Sequence, residues 1–180
     1  MVYTLKVPLD RVGVIIGIRG HTLRMLKEKA GTDIEVDSDT GEVILHEEGA
    51  KDPYVTYRMR DVLRAMGRGF SPEHSLLLLQ DEMYYEEFDI RDFSGKSRKR
   101  GEQVRSRLIG SDGRTRKLIE ELTECLVSIK GNTVALIGDI EGIKVASKAI
   151  ELLLSGSEHS TVYSYMERKR KDLKVSRSGF

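Results

Sequence analysis

With one cysteine in 180 residues, Cys125, the chain can form no disulfide within itself and has no cysteine-rich zinc site. Tryptophan is absent, asparagine occurs once (Asn132) and glutamine twice (Gln80 and Gln103), while Lys, Arg and Glu abound. That balance is the one found in heat-adapted proteins, so a thermophilic source is expected. No apolar run approaches the roughly 20 residues of a membrane span, and no membrane association is expected. The N-terminal Val2-Tyr3-Thr4-Leu5-Lys6-Val7 alternates like a strand, with no basic segment before a long apolar region. It reads as no secretory signal, and a cytoplasmic protein is expected. Residues for catalysis are also scarce. His21, His46, His74 and His159 are scattered, none at ligand spacing from Cys125. Glu47-Glu48, Asp81-Glu82 and Glu86-Glu87 are adjacent pairs, and neighbours on a strand point to opposite faces. No Gly-Lys-Ser/Thr follows a glycine turn, as a P-loop requires. No enzyme, cofactor or metal is expected.

What the chain does have is a repeat. Val14-Ile15-Ile16-Gly17-Ile18-Arg19-Gly20 returns 93 residues later as Arg107-Leu108-Ile109-Gly110-Ser111-Asp112-Gly113. The offset holds through Thr22/Thr115, Arg24/Lys117 and Leu26/Ile119 to Val36/Ile129, so turn, helix and strand are duplicated without an insertion. Two glycines separated by two residues before a helix let backbone N–H groups approach a phosphate where a Cβ would obstruct. A polyphosphate or nucleic-acid backbone is the ligand this favours.

The net charge of +1 conceals an asymmetry. From Lys96 to Lys117 nine basic residues face only Glu102 and Asp112, and from Arg168 to Arg177 six face only Asp172. Concentrated basic charge is the footprint of a polyanion binder.

Periodicity gives a strand over 3–9, a short helix over 10–16, a helix from His21 to Ala30 ended by Gly31, strands over 32–36 and 42–46, and a helix over 52–66 with Pro53 in its first turn. The second half reads as a strand over 84–93, helices over 96–109 and 114–124, strands over 126–130 and 133–138 around Gly131-Asn132, and a helix over 140–154. The order β-α-α-β-β-α occurs twice. Between the copies, Leu76-Leu77-Leu78-Leu79 is too apolar for a free linker and predicts a short helix packed between the units. Residues 166–172 predict a helix ahead of a loose basic end. The domains are expected at 1–80 and 81–180.

A Gly-x-x-Gly turn joining two short helices within β-α-α-β-β-α resembles the type I KH fold. The resemblance covers nearly the whole chain as two tandem α+β domains, each a three-stranded sheet with helices on one face. It implies a clamp on about four nucleotides of single-stranded RNA in each unit. Carried onto this chain, Gly17, Ile18, Arg19 and Gly20 hold phosphates with Arg24 or Lys27, while Ile15, Ile16, Ile34 and Val36 supply an apolar wall for bases. The second set is Gly110, Ser111, Asp112 and Gly113 with Arg114 and Lys117, beside Leu108, Ile109, Val127 and Ile129. At this spacing Ile15, Ile34, Val127 and Ile129 also fit a core role. Asp112 departs from the pattern, since a carboxylate in the clamp repels phosphate. Arg114, Arg116, Lys117 and the 96–107 run offset it, so both turns are expected to contact RNA.

Two such units in 180 residues, with Tyr85-Glu86-Glu87-Phe88-Asp89-Ile90 and Gly95 ahead of the basic helix, are similar to the archaeal members of the Partner of Nob-one or Dim-two family of pre-rRNA processing factors. That similarity implies binding near the 3′ end of small-subunit rRNA, beside a PIN-type endonuclease and an rRNA dimethyltransferase. Eukaryotic members have lost the first Gly-x-x-Gly, whereas Gly17 and Gly20 are intact here. Two alternatives remain: another KH protein of the exosome or transcription machinery, which lacks support because no OB-like barrel accompanies the units, and a scaffold whose KH units bind protein.

Overall fold

Pro8 fixes where the first strand stops. In the computed structural model, which describes residues 1–179, β1 runs from Val2 to Lys6. Val7 still donates its N–H to Gly41 O at 2.9 Å. Pro8 has no N–H to continue the ladder and leads into α1, Leu9–Ile16, so the strand is shorter than the 3–9 expected. After the first glycine turn come α2 (His21–Ala30), closed by Gly31, then β2 (Ile34–Val36) and β3 (Glu42–His46). Asp52 caps α3 (Pro53–Gly67) by accepting from Tyr54 N and Val55 N, with Pro53 in the first turn where its missing N–H is not needed.

β3 is the middle strand, antiparallel to β1 and β2, with Leu45 opposite both Tyr3 and Ile34. Alternation turns Val43, Leu45 and Ile34 into the core and leaves Ile44 half-buried on the other face. Arg11 ties α1 to the end of α3: its Nε donates to Met66 O (2.8 Å) and its Nη2 to Phe70 O (2.7 Å), satisfying carbonyls that a helix end leaves open. The short helix expected between the copies is α4 (Pro72–Leu76), followed by a 3₁₀ turn at Leu77–Leu79. It is anchored to α3, where Arg58 Nε donates to Leu78 O at 2.9 Å. These elements form the first of two compact units, Met1–Asp81; the second begins at Glu82.

The second unit repeats the order as β4 (Tyr84–Asp89), α6 (Arg98–Ile109), α7 (Arg114–Thr123), β5 (Leu126–Lys130), β6 (Thr133–Gly138) and α8 (Ile140–Leu154), with α5 (Arg91–Ser94) inserted after β4 and α9 (His159–Arg177) added. β6 is the middle strand, antiparallel to β4 and β5. The strand expected over 84–93 ends at Asp89, whose carboxylate accepts from Arg91 N (2.9 Å) and turns the chain into α5. The core joins Leu108, Ile119, Val134, Leu136 and Ile150 to Val162, Met166 and Leu173 of α9. Cys125 is buried against Gly138, and that burial pushes its thiol up to about 12.

The helix expected over 166–172 belongs to the longer α9, which reaches Arg177, inside the loose end expected over 176–179. Arg177 donates from Nε and Nη2 to the two oxygens of Asp139 (2.8 and 2.9 Å) and pairs with Glu124. Asp139 also caps α8 through Gly142 N (2.7 Å). The Arg177 hydrogen bonds hold its carboxyl below the usual carboxylate range, against the opposing effect of burial. The fold is thus α+β, with two tandem β-α-α-β-β-α units.

Candidate nucleic-acid interface

The two glycine turns have nearly the same backbone. Gly17, Arg19 and Gly20 stand at φ 74°, 53° and 73°; Gly110, Asp112 and Gly113 stand at 73°, 54° and 73°. The middle residue is left-handed without being glycine in both, an uncommon state that each turn imposes through its flanking glycines. The glycines differ in why they are needed. A Cβ on Gly17 would lie 2.2 Å from Thr22 Oγ1, and one on Gly110 would lie 2.4 Å from Thr115 Oγ1. One on Gly20 would meet nothing within 4 Å. The first glycine is fixed by its own helix, while the second faces open space. Among the described residues no side chain caps α2 or α7, so their first-turn N–H groups face the same open side.

Each turn borders a groove. The first, about 550 Å³, is lined by Gly13, Val14, Gly17, Ile18, Arg19, His21, Thr22 and Arg24. Ile18 is 86% exposed at its rim. Arg19 and Arg24 make no hydrogen bond or ion pair among the described residues, so their charges remain available to a ligand. The second, about 520 Å³, is lined by Ser106, Arg107, Gly110, Ser111, Arg114 and Thr115, together with His159 and Tyr163 of α9. Lys117 Nζ lies 3.5 Å from the Asp112 carbonyl, which places a cation against the backbone of the turn.

Several residues expected at the interface lie elsewhere. Ile34 and Val127 are buried, as are Ile15 and Leu108, and their side chains fill the two cores where no base can reach them. Ile16, Val36, Ile109 and Ile129 are half-buried and remain the apolar surface of the walls. Lys27 is paired with Asp33 at 2.7 Å, which lowers the Asp33 carboxyl and leaves the lysine less free for phosphate. In the basic run Arg98 pairs with Glu102 and Arg116 with Glu120.

The sequence reading missed His159 and Tyr163, which come to the groove only because α9 folds back on α7 and α8. Their i, i+4 spacing on one helix face was the available signal. It also missed that Asp33, Glu35 and His46 place one potential ligand atom each within 4.8 Å of one another. Strand pairing brings them together: Asp33 and Glu35 share a face of the chain and His46 lies across from Asp33, its Nε2 donating to Glu35 Oε1 at 2.7 Å. With Asp33 held by Lys27 and His46 by Glu35, each already has a partner.

Comparison with known proteins bears on both units. A family model described as a eukaryotic-type KH domain (type I), that of the second domain of the PNO1 group, matches residues 84–171, and a KH-domain model matches residues 2–51. The chain is 39% identical over 173 residues to a KH domain-containing protein of Methanocaldococcus jannaschii, covering 96% of this chain and 76% of that one. It is similar to the crystal structure of Dim2p from Pyrococcus horikoshii, at 40% identity and a TM-score of 0.84, covering 93% of this chain and 99% of that one. It is equally similar to Dim2p in a complex of a/eIF2alpha, Dim2p and rRNA from the same organism, at 40% identity and a TM-score of 0.87, covering 96% and 95%.

Proposed function

Since the chain belongs to the KH-domain family, as an RNA-binding protein of that family, we propose that it holds single-stranded RNA in both glycine turns and binds the 3′ region of small-subunit rRNA during ribosome assembly. The observation that carries this is the repeated turn: two backbones matching within about 5° at their three left-handed positions, each opening an uncapped helix onto a groove. Amides and Arg19 or Lys117 take the phosphates, and the half-buried aliphatic wall takes the bases. Only an unpaired strand lets bases leave the stack and lie on such a wall. The resemblance to a Dim2p solved with rRNA supports the choice of RNA, and the proposed partners are a PIN-type endonuclease, an rRNA dimethyltransferase and, by analogy with that complex, a/eIF2alpha.

The test is binding of a fluorescent single strand copied from the 3′ end of small-subunit rRNA, set against its duplex and a scrambled strand, for the wild type, Arg19→Asp and Ser111→Asp. Preference for the authentic single strand, weakened by either substitution, is the expected result. Affinity should fall with salt at a log–log slope of about −0.7 per contacted phosphate. Equal, weak, salt-insensitive binding of all three strands would overturn the reading in favour of a protein-binding scaffold.

A further inference from the structure

The two grooves differ on one wall. At the 93-residue offset, Gly13 and Val14 of the first unit become Ser106 and Arg107, and Arg19 becomes Asp112. The first groove is built from α1, its turn and α2. The second adds His159 and Tyr163 from α9, a helix the first unit does not have.

These additions are held in place. Tyr163 Oη and Thr115 Oγ1 share a hydrogen bond at 2.8 Å, so the phenol is fixed to the same threonine that packs on Gly110. His159 Nε2 lies 2.9 Å from the Arg107 carbonyl and its ring stands edge-on to Tyr163, centroids 5.9 Å apart. A carbonyl only accepts, so neutral His159 carries its proton on Nε2 and keeps Nδ1 as an acceptor. Arg107 gives Nη2 to the Ser157 carbonyl; among the described residues its buried Nε has no partner and its Nη1 makes no hydrogen bond. The wall thus gathers an arginine with donors to spare, the Ser106 hydroxyl, an imidazole acceptor and a phenol, next to a turn that already grips the backbone. Groups of this kind read the edges of bases, whereas phosphate contacts position a strand without selecting sequence. Asp112 weakens the phosphate attraction at this turn, which gives base contacts more weight.

We propose that the pocket between Arg107 and the His159–Tyr163 pair takes one nucleobase by its edge, so that the C-terminal helix gives the second unit a base preference the first lacks. This deepens the RNA-binding reading above and rests on it. Carbonyl-bearing bases present acceptors to Arg107 and Ser106; adenine has no carbonyl and fits less well.

The full chain carrying Arg19→Asp puts a carboxylate in the first turn where Asp112 stands in the second, so that the two units then differ mainly in the α9 wall, and it should fold, because Asp112 already occupies the same left-handed conformation at φ 54°. Short homopolymeric single strands of uridine, cytidine and adenosine are titrated against it, alone and with Tyr163→Phe or His159→Ala, with thermal unfolding of each variant measured in parallel. Uridine or cytidine should bind about fivefold tighter than adenosine, the worth of one net hydrogen bond. Either added substitution should lower that preference, with the loss falling on uridine and cytidine more than on adenosine. Tyr163→Phe keeps the ring but gives up its hydrogen bond to Thr115, so lost preference at an unchanged unfolding temperature assigns the effect to the hydroxyl and not to a displaced helix. Equal binding of all three strands, or a preference that survives both substitutions, overturns the pocket. Tighter binding of every strand by the variants overturns it too, by making α9 a cover. Loss of all binding in Arg19→Asp while the wild type still binds confines RNA to the first unit and also overturns the pocket. No binding even by the wild type would instead overturn the RNA reading.

Discussion

Thr22 and Thr115 separate the roles of the two glycines in each turn. A methyl group at Gly17 collides with Thr22 as well as straining a left-handed backbone, whereas at Gly20 only the strain applies. Gly17→Ala should therefore cost about 2–4 kcal/mol of stability and Gly20→Ala about 1–2 kcal/mol, measured by denaturant unfolding. The order should reverse for RNA: Gly20→Ala, whose Cβ projects into the space a ligand uses, should weaken binding beyond its small effect on folding. At the matching middle position of the second turn, Asp112→Asn keeps a residue that tolerates φ 54° and removes the repelling charge. It should raise RNA affinity and leave thermal stability nearly unchanged; no gain in affinity would show that phosphate does not approach Asp112. The glycines, Arg19 and Arg24 were legible in the sequence because the turn is a local motif. Ile34 and Lys27 were not, because a half-buried and a fully buried strand residue carry the same letter, and because the Asp33 that engages Lys27 is one of several nearby carboxylates until the β2 edge is folded.

Among the elements, local periodicity located nearly everything that local chemistry decides. α2, β3, β5, β6 and α8 have the limits expected, and Gly31, Asp52-Pro53 and Gly131-Asn132 are the punctuation that sets them. α5 escaped because a side-chain turn at Asp89 ended a strand whose apolar pattern continued. α9 escaped in part because its stripe of Val162, Met166 and Leu173 is sparse and its docking depends on distant partners. Chief among those is Arg177, which joins the end of α9 to the first turn of α8 at Asp139. Arg177→Met should destabilise the protein by roughly 1 kcal/mol at neutral pH, in line with a well-placed but partly exposed ion pair. The dependence on pH has a definite sign. The folded state depresses the Asp139 carboxyl, so its contribution is complete above the ordinary carboxylate value of about 3.9 and is lost as pH falls through the lower folded value. The difference between wild type and Arg177→Met should accordingly be present at pH 7 and shrink below about pH 4 in matched unfolding titrations. A difference that persists at pH 2 would assign it to packing of the arginine stem.

On the scale of the whole chain, two units that each held about four nucleotides, as proposed above, would make the second binding event intramolecular. A strand long enough to reach both turns should bind roughly 100-fold tighter than a four-nucleotide strand, and either Arg19→Asp or Ser111→Asp should abolish most of that gain. Equal affinity for the short and long strands would mean that one unit works alone. The duplication was plain in the sequence; which groove reads bases was not, because it depends on a helix contributed from 45 or more residues downstream of the turn it serves. The same inequality between the units gives the protein a built-in reporter. Its single sulfhydryl is buried in the second unit and held protonated by that burial, so a thiol-specific label can attach only when that unit opens. Labelling rates followed across a denaturant series therefore time the opening of one half of the molecule, and comparison with a whole-chain spectroscopic signal tells whether both halves melt as one cooperative body or in sequence.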